Sequence, residues 1–478
     1  MEILIHLINS IQGESFEKFG EYLNSPYFNK RNDLIKFYNY LYDKMPLKEL
    51  NRQQIYKEVY TGSVYKEQVI VNLFSRTKKH ILNFLTVTGL ENDEPAKTNA
   101  LAFELAKKGL NHLTEKTIES AIINLKNEYY TVEYLKKYYD YTELKESLAV
   151  SLRNFKQKTE NALNRGEAFV NYYILNLLRI ANDFIVFKYV NSVIESDEIF
   201  NGFFKYFDFE KYIFNLKRIN SPYYAITAVF YYGLQSKMHD PDGKYRNELK
   251  KTVFENLDIM KYQDKATCWT MLFGAYVFSN TPPKDNPSKE IHEINKYFVS
   301  RDILTRDELG YIMENNYHNI AFQAINAKDY RWAESFLNNY KSKLPPGTPD
   351  DTYNICMARC SFDVKNFESS LKYLSKLKID NVMTRTHIAT LSIRCYYELG
   401  YYEEALSGTE ALRQFHKKNK VLPGHLKKPL LYFARYASKL IRHRASQKKF
   451  PEELYNKVLY GPSFNSKLWV TEKMQEML

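Results

Sequence analysis

The chain contains few of the residues that interrupt regular structure. Its 478 residues include only 16 glycines and 15 prolines, well below the usual share of these two amino acids. Tyrosine and phenylalanine, by contrast, number 41 and 30. A chain that is poor in turn formers and 44% hydrophobic is predicted to be mostly helical and able to build a large core.

The glycines and histidines lie too far apart for the common nucleotide and metal sites. No two glycines are closer than seven positions, whereas phosphate-binding loops need glycines about two to five residues apart. No two histidines lie within eight positions of each other, which excludes the His-x-x-x-His zinc motif. We therefore expect no enzymatic activity, no cofactor and no metal, although a site assembled from distant residues would leave no local signature.

Cysteine is scarce as well, and so are the signals of export or membrane insertion. Cys356 and Cys360 are the only close pair of cysteines, and their i, i+4 spacing predicts that both pack on one helix face as small apolar residues. Few cysteines in a long chain are typical of a reducing compartment. The first residues lack the basic region and cleavage site of a signal peptide, and no run of 18 apolar residues occurs. A cytoplasmic protein without a transmembrane segment is the expectation.

The clearest pattern that is present is an internal repeat in the C-terminal third. Tyr330, Phe367 and Tyr402 are spaced 37 and 35 residues apart, and a two-residue turn precedes each of them. Small residues follow each aromatic residue at the third position, and small or apolar residues precede it at the ninth. These residues are Ala333, Ser370 and Ala405 after the aromatic residues, and Ala321, Ala358 and Ile393 before them. Small residues allow paired helices to approach closely.

This repeat resembles the tetratricopeptide repeat, a helix–turn–helix unit of about 34 residues with small residues at fixed positions. Three units match over about residues 317–418, with Ser370 and Ile393 departing from the usual small residues. Near the N-terminus, residues 22–31 (YLNSPYFNKR) resemble uncharacterised helical proteins of Bacteroidota, which brings no activity with it. The first resemblance implies antiparallel helix pairs stacked into a solenoid.

Breaks in the helical pattern divide the chain into four predicted segments. Residues 1–92 form an N-terminal helical domain whose last helix ends near Val87, before the acidic break at 91–95. Residues 98–300 form a diverged array of helical hairpins, and residues 301–420 contain the repeats. Residues 421–478 form basic capping helices. Within the second segment, the stretch from Val170 to Val193 is apolar nearly all round and is expected to lie in a core.

The net charge of +12 comes from one part of the chain. Between Glu410 and Glu452 there are twelve lysines and arginines and no acidic residue, while the rest of the chain is formally neutral. A helix is predicted from Pro429 to about Ala445, with its apolar residues on one side. The opposite side carries the residues that we define as the basic face, which are Lys428, Tyr432, Arg435, Lys439, Arg442 and His443. The residues from Lys428 to Arg442 would span roughly 21 Å of helix axis.

The basic face has several interpretations at this stage. The first interpretation is that it is only the solvated side of a capping helix. The others are a site for an acidic protein partner, a phosphate-binding surface with Tyr432 stacked on a base, and a contact with anionic lipid. The many paired tyrosines, such as Tyr396 and Tyr397, also fit a peptide-binding groove, although helix packing explains them more simply.

The sequence as a whole predicts an all-α protein, with an N-terminal helical domain followed by an α-solenoid of antiparallel, tetratricopeptide-like helix pairs. Such arrays usually bind proteins, so the resemblance implies a non-catalytic cytoplasmic scaffold or adaptor that binds a protein or peptide partner on its repeat surface. The alternative is nucleic-acid binding through the basic face of the 428–449 helix. The sequence leaves the oligomeric state, the partner and the pathway open.

Overall fold

The computed structural model describes residues 2–126, 132–191, 198–260, 262–280, 287–307, 309–346, 349–378, 382–418 and 424–478. Within these ranges the chain is all-helical and contains no β-strand, as the composition predicts. None of the helices in these ranges has the length and apolar character that crossing a bilayer requires. The chain divides into two compact units, namely unit 1 (Met1–Glu128 and Glu133–Val170) and unit 2 (Tyr129–Val132 and Asn171–Leu478).

The first five helices of unit 1 share a core. The long helix α5 is directly contacted by each of α1, α2, α3 and α4. They are followed by α6, α7 and α8 and by the first half of α9. The bounds are α1 Glu2–Ser10, α2 Glu14–Asn24, α3 Asn32–Tyr42, α4 Arg52–Val59, α5 Glu67–Asn92, α6 Glu94–Lys107, α7 Asn111–Lys126, α8 Val132–Ser151 and α9 Phe155–Asn191.

The helices of unit 2 follow the second half of α9. Their bounds are α10 Glu198–Tyr206, α11 Phe209–Arg218, α12 Tyr224–Met238, α13 Lys244–Asn256, α14 Tyr262–Val277, α15 Pro287–Ser300, α16 Glu314–Asn326, α17 Tyr330–Tyr340, α18 Pro349–Asp363, α19 Phe367–Leu374, α20 Val382–Glu398, α21 Tyr402–Lys418, α22 Gly424–Ala445, α23 Glu452–Leu459 and α24 Lys467–Gln475. From α12 onward the main contacts of each helix are with helices one or two further along the chain, a pattern of nearest-neighbour packing.

The three repeated turns have the same backbone geometry. The residue two positions before each aromatic residue is left-handed, with φ of 66° at Lys328, 63° at Lys365 and 81° at Gly400. The next residue then donates its N–H to the carbonyl five positions earlier, over 2.8–3.0 Å. This is the Schellman ending of a helix, and the aromatic residue begins the next helix in all three cases. The helices on either side of each turn pack against each other.

The small and apolar residues of the repeat are buried at these helix pairs. Ala333, Ser370 and Ala405 have no exposed surface, and Ser370 Oγ donates to the carbonyl of Ala358 over 2.8 Å. Cys356 and Cys360 are free and buried on α18, as their spacing predicts. The local helix pairs are therefore present where the repeat predicts them.

Unit 1 contains the same turn, which the sequence analysis missed. Arg153 is left-handed with φ of 55°, and Asn154 donates its N–H to the carbonyl of Ala149 over 2.9 Å before α9 begins at Phe155. Gly109 plays the same part between α6 and α7. Arg153–Phe155 shares with two turns of unit 2, at 328–330 and 365–367, a basic residue followed by Asn or Asp and then an aromatic residue, and this string is the signal that links them.

One predicted helix end and the start of the next helix are wrong. The helix expected to stop near Val87 continues to Asn92, and only Asp93 separates it from α6. Asp93 caps α6 by accepting from the N–H of Ala96 over 3.0 Å, and Pro95 occupies the first turn, where its missing N–H costs nothing. The acidic, proline-containing segment is therefore a helix start rather than a wide break.

The expectation that residues 170–193 are buried all round is also wrong for the described part. Ile174, Leu175 and Leu178 are buried, but Tyr173, Ile180 and Phe187 are between 46% and 57% exposed. The exposed residues are seven positions apart, so they form one line along the second half of α9. The second half of α9 therefore has an apolar side that is about half exposed.

The three tryptophans of the chain all lie in unit 2. Trp269 is buried on α14 and donates to Asn295 Oδ1 over 2.9 Å. Trp332 stacks on Phe336 with 5.4 Å between the ring centroids. Trp469 on α24 donates to Glu398 Oε1 over 2.7 Å, which ties the last helix to α20.

Candidate functional site

The basic face lies on α22, which begins five residues earlier than predicted. The helix starts at Gly424 and contains Pro429 in its interior, at the cost of one backbone hydrogen bond. The apolar side is buried as predicted. The buried residues on this side are Leu430, Phe433, Ala434, Ala437, Leu440 and Ile441. This burial fixes which side of the helix faces solvent.

Three cations of the basic face are exposed in a single line. Lys428, Arg435 and Arg442 are seven residues apart, so successive side chains are separated by about 10 Å along the axis. None of these three makes an ion pair with a described carboxylate. The pKa of Glu410 is lowered mainly by hydrogen bonds from Gln414 and Arg413, and the charge of Arg442 adds a smaller effect. Lys439 is half-buried. The line offers unpaired positive charge to solvent.

The two aromatic members of the basic face have structural partners. Tyr432 is half-buried against the core and stacks on Tyr436 with ring centroids 6.3 Å apart. The His443 ring lies 5.0 Å from the ring of Phe450, and its buried Nδ1 has no hydrogen-bond partner among the described residues. The predicted site residues are thus brought onto one helix, and Tyr436 covers part of the Tyr432 ring.

A second group of polar residues lies on the first helices of the three repeated pairs. We define the arginine–histidine cluster as His318 on α16, Arg359 and Asp363 on α18, and His387 and Arg394 on α20. Phe322 on α16 links its two ends, because its ring stacks on His318 at 5.8 Å and on His387 at 6.3 Å between centroids. Helices α16, α18 and α20 therefore share one polar face.

The two arginines of the cluster differ in their ion pairing. Arg359 Nε donates to Asp363 Oδ2 over 2.7 Å, and both side chains are partly exposed. Arg394 is 7% exposed and pairs with none of the described carboxylates. Burial, followed by the charge of Arg359, lowers the pKa of Arg394 to about 10, so the guanidinium is still charged at neutral pH.

The two histidines of the cluster are neutral at physiological pH. Burial lowers the pKa of His318, and burial together with Arg359, His318 and Arg394 lowers the pKa of His387 to about 4. The ring of His318 bonds to the backbone carbonyl of Thr352, and Nε2 is left without a partner in the described structure. A neutral imidazole that donates through one nitrogen can only accept through the other. Nε2 of His318 is therefore an unused, buried acceptor.

The sequence analysis missed this cluster, although the repeat contains a signal for it. Phe322, Arg359 and Arg394 each stand eight residues before the aromatic residue that starts the second helix. Equivalent positions of stacked helix pairs lie on one face, so two arginines at this position predict a shared basic surface.

Two other charged groups of the described structure, Lys237 and Arg165, have partners within their own unit. Lys237 is almost wholly buried in unit 2, where Nζ donates to Asn182 Oδ1 over 2.7 Å. A cleft of about 660 Å³ in unit 1 is lined by apolar residues of α6 and α8, and Arg165 at its edge pairs with Glu146 over 3.1 Å. Across the described ranges, no group of three or more His, Cys, Asp and Glu side chains is placed to hold a metal ion.

Comparison with protein-family models, with curated proteins and with solved structures finds no significant match to this chain.

Proposed function

We propose that this protein is a non-catalytic cytoplasmic scaffold or adaptor that binds a protein partner on the face formed by α16, α18 and α20. The observation that supports the proposal most strongly is the arginine–histidine cluster. It combines the buried guanidinium of Arg394 on α20, which has no carboxylate partner among the described residues, with the unused imidazole acceptor of His318 on α16. Buried polar groups of this kind are normally hydrogen-bonded, and a bound partner would supply the missing groups.

The wider architecture is part of the same proposal. The helix pairs from α16 to α21 would continue as a solenoid of antiparallel pairs of tetratricopeptide type, with first helices side by side. In such an array the first helices line one surface and the second helices line the other. The partly exposed Arg359 would then be open to a partner, whereas Arg331 on α17 would lie on the other surface.

Affinity capture from native lysate tests the proposal. The full chain would be compared with Arg359→Gln and with the control Arg331→Gln, which changes an exposed arginine of a second helix. We expect a discrete protein to be captured by the full chain and the control, to survive nuclease treatment, and to be largely lost with Arg359→Gln. Equal capture by all three chains, or capture of no protein, would contradict the proposal.

Nucleic-acid binding is the second candidate, and the unpaired line of Lys428, Arg435 and Arg442 supports it. Phosphate contacts release counterions, so such binding would weaken steeply with salt. The triple variant Arg435→Glu, Lys439→Glu, Arg442→Glu should then abolish capture of nuclease-sensitive material. Retention of that material by the triple variant would exclude the basic face as its binding site.

A further inference from the structure

Arg394 is a buried cation that makes only one, long hydrogen bond among the described residues. Nη1 reaches only Ser466 Oγ, at 3.5 Å, and Nε has no hydrogen-bond partner among the described residues. The guanidinium lies 4.0 Å from the centroid of the Phe362 ring. A guanidinium at 7% exposure is costly to keep without a counter-charge, since removal of a charge from water costs several kcal/mol.

The nearby carboxylates are already engaged by other groups. Asp363 accepts from Arg359, and Glu398 uses one oxygen for Trp469 Nε1 and the other for Lys473, at 3.2 Å. Both carboxylates are near enough to favour the charged form of Arg394, but neither is within 4 Å of it. A carboxylate that pairs with Arg394 would therefore have to come from a group other than Asp363 and Glu398.

We propose that Arg394, Arg359 and His318 form the subsite for an acidic segment of the partner protein. A glutamate or aspartate carboxylate of that segment accepts hydrogen bonds from the two arginines, and a backbone N–H of the segment donates to His318 Nε2. This inference rests on the proposed function and adds the chemistry of the partner. It assigns a role to the two arginines that occupy the same position in successive helix pairs.

An acidic peptide fits these groups better than a phosphate does. The arginines require an acceptor, whereas the neutral His318 requires a donor. The phosphodiester of a nucleic acid supplies acceptors only, so it would leave Nε2 of His318 without a partner. A peptide supplies both, because each residue other than proline carries a backbone N–H beside its side chain. Carboxylates also match the planar fork of arginine.

The probe for the test is a fluorescein-labelled peptide of six glutamates whose remaining terminus is blocked, with a six-glutamine peptide as the uncharged comparison. Binding to the full chain is measured by fluorescence anisotropy at about 0.15 M salt. The variant is Arg394→Gln, and the matched control is Arg435→Gln on the basic face. We expect the glutamate peptide to bind, the glutamine peptide not to bind, and Arg394→Gln to weaken binding by about tenfold or more, because loss of one buried charge partner has effects of this size. The control should change binding by less than about twofold.

Several outcomes would overturn the inference. These are no binding of the glutamate peptide, equal binding of both peptides, or a larger loss with Arg435→Gln than with Arg394→Gln. Competition by pyrophosphate or by an oligothymidylate as strong as that by unlabelled peptide would assign the site to phosphate instead. If thermal unfolding shows that Arg394→Gln is misfolded, the half-exposed Arg359→Gln takes its place with the same expected loss.

The test separates this inference from the proposed function. Capture of a protein that depends on Arg359, together with no binding of the glutamate peptide, would retain the adaptor and reject the acidic segment. Binding of the peptide that depends on Arg394, without capture of any protein, would retain the subsite and reject the adaptor.

Discussion

At the scale of single residues, His387 makes stability depend on pH. Its pKa is lowered to about 4 by burial, by Arg359 and by its other cluster neighbours, whereas in the unfolded chain it is about 6.5. Between these values the unfolded chain binds more protons, so the free energy of unfolding falls as the pH drops from about 6.5 towards 4. The contribution of this residue is up to about 3 kcal/mol.

We therefore expect His387→Gln to flatten the dependence of unfolding free energy on pH below about 6.5, measured by urea denaturation at a series of pH values. The control is His239→Gln, at an exposed position. It should leave the slope unchanged. A slope that is the same in the full chain and in His387→Gln would mean that the imidazole is not buried as described.

Gly274 on α14 is a residue where a close approach between helices limits the side chain. A Cβ at this position would stand 2.8 Å from Cε of the buried Lys237. We expect Gly274→Ala to lower the unfolding free energy by about 1–3 kcal/mol, as overpacking does. Gly166→Ala on α9 is the control, because nothing lies within 4 Å of its Cβ position. It should raise stability by up to about 1 kcal/mol, since alanine favours the helix. Denaturant titration measures the change in unfolding free energy for both variants. A change of the same sign in the two variants would contradict the packing described.

At the scale of helices and turns, the left-handed residue is the feature that the repeated pairs share. Lys365 has φ of 63°, a conformation that β-branched residues avoid. Lys365→Val should lower the unfolding free energy by about 1–2 kcal/mol. Lys372→Val, on the exposed side of α19, should cost less than about 1 kcal/mol through helix propensity alone. Similar losses for the two variants in urea denaturation would show that the turn does not require the left-handed residue.

The helical elements were predictable wherever a local rule decides them. The starts of α17, α19 and α21 follow from the turn, and the buried side of α22 follows from the spacing of its apolar residues. The end of α5 was not predictable from composition, because Pro95 suits the first turn of a new helix as well as it suits a break. The exposed side of α9 was missed because periodicity shows that a helix is apolar but not how much of it neighbours cover.

The candidate site was likewise predictable only where its residues are close in sequence. The sequence places the basic face on one helix, since all its members are local to α22. The arginine–histidine cluster joins three helices and depends on which charges are paired. Arg359 and Asp363 are four residues apart on α18, so the spacing does indicate their ion pair. The lack of a described carboxylate partner for Arg394 is a property of three-dimensional packing, because Glu398, four residues further on, bonds to Trp469 and Lys473 instead.

At the scale of the whole molecule, the net positive charge is concentrated between Glu410 and Glu452 rather than distributed along the chain. Two triple variants lower the net charge equally, from +12 to +6, because each replaces three cations by glutamate. Arg435, Lys439 and Arg442 are changed in the first, and the scattered, exposed Lys48, Lys57 and Lys372 in the second. Elution from a cation exchanger should shift to lower salt much further for the first variant, since a patch binds the resin through several charges at once. Equal elution would mean that the basic face does not act as a unit.

The position of the tryptophans makes intrinsic fluorescence specific for one of the two units. Trp269, Trp332 and Trp469 all belong to unit 2, so tryptophan emission follows that unit, and unit 1 contributes none. The ring of Trp469 lies 5.5 Å from the guanidinium of Arg394. A carboxylate that draws this guanidinium away from the indole would alter the quantum yield of an unlabelled protein, so occupancy of the subsite can be followed by intrinsic fluorescence during a titration.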